Sequence, residues 1–123
     1  MSKLLEAFTQ NFEANQEAFN RHDFETAFAA LPDDVVWEPM PQVVDRGRLE
    51  GKPAVIEAFR ALADVWPDWR TELIDITEPT SGLIQMRFRG VGTSKLSGIR
   101  TETLFIQEWD FRAQPMEVRE YPA

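Results

Sequence analysis

GLIQMRFRGVGTS (residues 82–94) and RTETLFIQEWDFR (residues 100–112) decide the fold of this chain. Both alternate with a period of two. In the first, Ile84, Met86, Phe88 and Gly90 share one side, and Gln85, Arg87 and Arg89 the other. In the second, Thr103, Phe105, Gln107, Trp109 and Phe111 oppose Glu102, Leu104, Ile106 and Glu108. Successive side chains of a strand point to opposite faces, so each set lines one side of a sheet. Aromatic and branched residues suit such a half-buried pleated surface. A shorter strand, Met116 to Tyr121, follows the pair. Gly90 and Gly92 are natural places for long strands to bend. A bent sheet with an aromatic inner face makes a cup.

Working outward, Trp69 to Glu78 reads as another strand, joined to the pair by the turn Pro79-Thr80-Ser81-Gly82. Its inward face is ambiguous, because Leu73 opposes Ile74 and Ile76. Further upstream, a helix opens at Lys52-Pro53, with proline in the first turn where its missing N–H costs nothing. Val55, Ile56, Phe59, Leu62 and Ala63 form its apolar face, and Pro67 ends it. Val35 to Glu38 is a short strand stopped by Pro39. Residues 39–51 keep no period, and a loop of that length in a small domain suits a rim or lid. Residues 3–20 form an amphipathic helix with Leu5, Phe8, Phe12 and Phe19 on one stripe. Asn15 lies on the same stripe and needs a partner from protein, water or ligand. Asp23 caps a second, short helix that presents Phe24, Ala27, Phe28 and Leu31. The expected architecture is α+β: three N-terminal helices packed on a curved, mainly antiparallel sheet, in the order α-α-β-α-β-β-β-β.

The chain has 123 residues, a length that suits a single domain over 1–123. Its net charge of −8 argues against nucleic acid or an anionic membrane as partner, since both need a basic footprint. It has no cysteine, which excludes disulfides and thiolate chemistry. No apolar run approaches spanning length, and the opening MSKLLEAFTQNFE lacks a secretion-signal pattern, so a cytoplasmic location is expected. His22, the single histidine, sits in a turn beside a helix cap, a poor place for a buried base. One imidazole cannot supply a histidine-rich zinc site, and no metal is expected.

The segments Asn20-Arg21-His22-Asp23-Phe24, Pro32-Asp33-Asp34-Val35-Val36-Trp37, Gly51-Lys52-Pro53-Ala54-Val55 and Trp66-Pro67-Asp68 resemble the nuclear transport factor 2-like (cystatin-like cone) superfamily. The likeness runs along essentially the whole chain. Members include ketosteroid isomerases, limonene-epoxide hydrolases, scytalone dehydratases and polyketide cyclases of the SnoaL type. The resemblance implies a cone-shaped cavity, a small hydrophobic ligand and chemistry without a cofactor. Trp37-Glu38-Pro39-Met40-Pro41 is similar to the Tyr-x-Asn-Met-Pro stretch of the epoxide hydrolases. Val118-Arg119-Glu120-Tyr121 is similar to their Trp-Arg-Asp-Tyr ending, which implies a catalytic carboxylate at Glu120. The tyrosine and asparagine that hold their water fall on Trp37 and Pro39, and their Arg-x-Asp falls on Phe88 and Gly90. The residues that open an epoxide are therefore missing. Compared with the isomerases, Glu38-Pro39 is similar to the base-proline step, and the oxyanion donors fall near Asn15 and on Gln107.

Glu120 and Glu38 are thus the candidate catalytic carboxylates. A carboxyl at the rim of an apolar cup has its pKa raised by desolvation, which suits acid–base work. Glu38 and Trp37 point opposite ways along their strand, so only one of them faces inward. Candidate substrate-binding residues are the polar Asn15 and Gln107 and, around them, Phe19, Trp37, Met40, Phe59, Met86, Phe88, Trp109 and Tyr121. The same aromatics can instead close the cup as packed core. On the outer face, Leu104 and Ile106 amid charges suggest a homodimer surface. Two readings stand: an isomerase, cyclase, dehydratase or hydrolase type of enzyme, and a non-catalytic ligand-binding or dimerisation module.

Overall fold

The computed structural model describes residues 2–40 and 47–123. The helices are α1 (Lys3–Asn20), α2 (Phe24–Ala27) and α3 (Lys52–Val65). The strands are β1 (Val36–Glu38), β2 (Leu49–Glu50), β3 (Arg70–Thr80), β4 (Leu83–Thr93), β5 (Arg100–Asp110) and β6 (Glu117–Pro122). The α+β expectation holds, with one strand more than the periodicity shows. That strand, β2, is two residues long and falls inside the stretch 39–51, the proposed rim or lid, of which residues 41–46 lie outside the described residues.

One sheet takes all six strands in the order β2-β1-β6-β5-β4-β3. β1 and β6 run parallel, and the other neighbours are antiparallel. The β4–β5 register is unbroken over eleven residue pairs, from Leu83 opposite Asp110 to Thr93 opposite Arg100. The alternation therefore decides faces here: Ile84, Met86, Phe88 and Phe105 are all buried.

β3 resolves its own ambiguity with a bulge. Leu73 pairs with Phe88 and Asp75 with Arg87, which leaves Ile74 as an extra residue. One extra residue flips the face of everything beyond it. Leu73 and Ile76 consequently both pack against the core while Ile74 stays 55% exposed.

Gly90 and Gly92, read above as places for a bend, lie in an unbroken register and meet a large side chain. A Cβ on Gly90 would stand 2.6 Å from the Trp69 ring, and one on Gly92 would stand 2.8 Å from it. The glycines make room for that indole against β4. His22 belongs to the same corner. It is held at φ 64°, its Nε2–H donates to the Trp69 carbonyl at 2.8 Å, and its ring stacks on Phe24.

Ser2 caps α1 through the Leu5 N–H at 3.0 Å. The helix then lays its stripe across two buried clusters. Leu4, Leu5, Phe8 and Phe12 meet the β4–β5 cluster of Ile84, Met86 and Phe88. Phe19 meets Phe24, Phe28 and Phe59, the cluster that holds α2, α3 and Trp37 together. Trp109 touches both clusters, and a cavity lies between them. No described helix is long and apolar enough to cross a membrane.

Candidate active site

The cavity measures about 510 Å³, within the range of small-molecule sites. Each wall traces to a pattern in the sequence. From α1, Asn15 and Phe19 face inward, together with Phe8 and Phe12 of the same stripe. β4 supplies Met86 and Phe88, and β5 supplies Phe105, Gln107 and Trp109. Trp37, Met40 and Phe59 close the far side. The exposed lining residues Asn11, Ala30, Pro32, Phe111 and Gln114 mark the mouth, between α1 and the turn that follows β5. Loop positions such as Ala30 and Gln114 carry no periodic signal, so neither the alternation nor the helical stripes mark them. Phe8, Phe12 and Phe105 do lie on apolar faces that the alternation and the helical stripe mark as inward.

Glu120 is the one carboxylate among the described lining residues, and no lysine, arginine or histidine accompanies it. β6 sits between β1 and β5, so its inward residues, Val118 and Glu120, project between Trp37 and the β5 side chains. Gln107 pairs directly opposite Glu120. Its Nε2 donates to Glu120 Oε2 at 2.8 Å. Its Oε1 accepts from Trp109 Nε1 at 2.6 Å. An indole N–H can only donate, so Trp109 fixes which end of the amide meets the carboxyl. The Met40 backbone N–H also favours the ionised carboxyl. Trp37 Nε1 leans toward the same group, close enough to favour the anion yet short of hydrogen-bond geometry, and it is buried with no other partner.

Burial dominates these donors and holds the Glu120 carboxyl above the usual carboxylate range. Glu120 is part-buried and lines the cavity. The arrangement is a proton-carrying group in an apolar chamber, held by neutral donors with no counter-charge. Desolvation disfavours the charged form and brings a carboxyl toward the range where it can both give and take a proton near neutrality.

Two candidate residues lie elsewhere. Glu38 turns away from the cavity because Trp37, its neighbour on β1, is only 1% exposed and takes the inward place. Its carboxylate is ion-paired with Arg48 at 3.1 Å on the half-exposed outer side. Tyr121 follows Glu120 and therefore points the opposite way, toward Glu108 and Gln85 on the outer face. Burial, joined by the Glu108 carboxylate, pushes its phenol pKa up. Among the described residues no three His, Asp or Glu side chains converge as a metal site would need.

A family model described as "SnoaL-like domain" matches residues 12–116, and Glu120 lies beyond it. No curated protein matches the chain. Among solved structures, the chain is similar to an NTF2-like protein of unknown function from Burkholderia pseudomallei, at 22% identity and a TM-score of 0.76, covering 94% of this chain and 89% of that one. It is similar to a candidate polyketide cyclase from Xanthomonas campestris, at 20% identity and a TM-score of 0.72, covering 97% and 92%. It is also similar to TerC, solved with polyporic acid, at 16% identity and a TM-score of 0.73, covering 94% and 90%. At these identities the likeness speaks for the fold.

Proposed function

The chain belongs to the SnoaL-like domain family, and from that premise we propose that it transforms a small, mainly hydrophobic molecule by proton transfer through Glu120. The observation that carries the reading is the lone desolvated carboxyl in an otherwise apolar cavity, aimed by Gln107 and Trp109. Relatives of this fold include a candidate polyketide cyclase and a protein solved with polyporic acid, and both agree with a ring-bearing ligand.

The cycle starts from the protonated form of Glu120, the form that burial favours. It gives its proton to an oxygen of the bound molecule, and Gln107 Nε2 holds the carboxylate left behind. That carboxylate then takes a proton from carbon or from water, which restores the acid. The cycle serves isomerisation, cyclisation, dehydration or water addition with the chain's own residues. Burial destabilises the carboxylate left behind, which makes it a stronger base for the return transfer than a solvated carboxylate would be.

The test is hydrogen–deuterium exchange at the carbon beside the carbonyl of α-tetralone in deuterated buffer, followed by mass spectrometry. Wild type should accelerate exchange and Glu120→Gln should not, while both still bind the ketone. Equal acceleration by the two proteins would remove Glu120 from the chemistry.

The proposal extends to a homodimer through the outer sheet face. Leu104 is 53% exposed there beside the half-buried Ile106, amid the ion pairs of Arg89 with Glu72 and Glu102. Leu104→Asp should shift the sedimentation coefficient from dimer to monomer. A wild type that sediments as a monomer would refute it.

A further inference from the structure

The polar groups that line the cavity are almost all spoken for. Asn11 Nδ2 donates to the Ala7 carbonyl at 3.1 Å. Gln16 Nε2 donates to the Thr71 carbonyl at 2.7 Å and also to the Thr71 hydroxyl. Gln107 is bonded at both ends of its amide, and the Trp109 indole N–H is engaged with it. Trp37 Nε1 has no partner but is occluded even from the cavity. Gln114 stands exposed at the mouth.

Asn15 is different. It lies between Phe12 and Phe19 on the inward stripe of α1 and lines the cavity, yet its amide has no hydrogen bond among the described residues. Asn15 is part-buried, so a ligand that displaces solvent from this wall must pair with the amide or leave it unsatisfied. It offers both a donor and an acceptor. Behind the mouth, where Gln114 stands, Asn15 on the helix side and Glu120 on the sheet side are therefore polar points open to a ligand. With no cationic side chain among the described lining residues, a negatively charged group on the ligand would be buried unpaired.

The geometry points to a neutral substrate with two oxygen functions: an apolar ring compound that sets one oxygen against Glu120 and a second against the Asn15 amide. This rests on the acid–base reading of the same cavity and adds the substrate class to it. Asn15 is then a specificity-determining residue. It selects hydroxylated or doubly carbonylated rings over simple ketones, because a site that hydrogen-bonds an oxygen discriminates against the analogue that lacks it.

The test compares dissociation constants for α-tetralone, its ring-hydroxylated isomers and the ammonium analogue aminotetralin, measured by calorimetry at neutral pH. Wild type should bind at least one hydroxylated isomer about tenfold more tightly than the parent ketone, the worth of one net hydrogen bond. Asn15→Leu should erase that preference, so that the hydroxylated isomer binds no more tightly than α-tetralone. This variant continues an apolar stripe with a strong helix former, so the fold is expected to survive. A preference that survives in Asn15→Leu would overturn the proposal. So would the absence of any preference, the absence of binding by all the neutral probes, or tighter binding of aminotetralin. Glu120→Gln separates the two proposals. Lost exchange with a preserved hydroxyl preference supports both. Unchanged exchange with a preserved preference sinks only the acid–base reading. A preference missing from wild type sinks only the two-oxygen reading.

Discussion

Replacing Glu120 with Gln should flatten the alkaline side of the stability profile. In the fold, burial holds the carboxyl above its ordinary range, and the neighbouring Gln107, Trp37 and Met40 N–H groups oppose the shift without cancelling it. In the unfolded chain the group returns to water and titrates near about 4.3. Between those two values the folded state keeps a proton that the unfolded state has released. Stability then falls as pH rises, by up to about 1.4 kcal/mol per pH unit for one group, and stops falling above the folded-state pKa. Unfolding entropy of about 2.1 cal/mol/K per residue, over a chain of this length, turns that slope into roughly 5 °C of Tm per pH unit. The carboxylates held low, Asp23, Asp68, Glu78 and Asp110, act with the opposite sign: they stabilise above their unfolded values and lose that contribution in acid. Their effect is confined to the acid side and is common to both proteins. The assay is calorimetric Tm for wild type and Glu120→Gln from about pH 4 to 8, a window that opens near the ordinary carboxylate value, where the two proteins begin to differ. The difference in slope is the readout, because any packing change from the amide adds a constant offset. Parallel Tm profiles would show that water reaches the Glu120 carboxyl, and the desolvation argument would fail.

Three further outcomes follow from the same geometry. Gly90→Ala should cost about 1–3 kcal/mol in urea unfolding, since its methyl would stand 2.6 Å from the Trp69 ring and a filled core resists overpacking. Ile76→Ala should cost about 2 kcal/mol while Ile74→Ala stays within about 0.5 kcal/mol, because the bulge sends only Ile76 to the core; equal costs would place the bulge wrongly. Trp109→Phe releases the donor that fixes the Gln107 amide, so Gln107 can turn its carbonyl to a protonated Glu120. A carbon-13 carboxyl titration should then show the Glu120 pKa moving further up; a downward move would refute the assigned amide orientation.

Much of the fold was legible in the sequence because period-two alternation over eleven residues leaves a strand pair no choice of face. Ile84, Met86 and Phe88 had to be inside once Arg87 and Arg89 were outside. The stripe Phe8, Phe12, Asn15, Phe19 likewise named one wall of the cavity, and the same reading found Gln107 and Trp109. β2 escaped because two residues carry no period. β3 was legible as a strand but its inward face was not, because a single extra residue, Ile74, inverts the pattern halfway, and only the pairing with β4 shows where.

The choice between the two carboxylates shows where sequence stops. Alternation established that Trp37 and Glu38 oppose each other, as do Glu120 and Tyr121, but not which member of each pair faces inward. That depended on β6 inserting between β1 and β5, which sets Glu120 against Gln107 and turns Glu38 to Arg48 and Tyr121 to Glu108. Local sequence determined which residues share a face, because that follows from backbone geometry alone. Only the tertiary structure decided which carboxyl loses its water, because desolvation is set by neighbours brought in from distant parts of the chain.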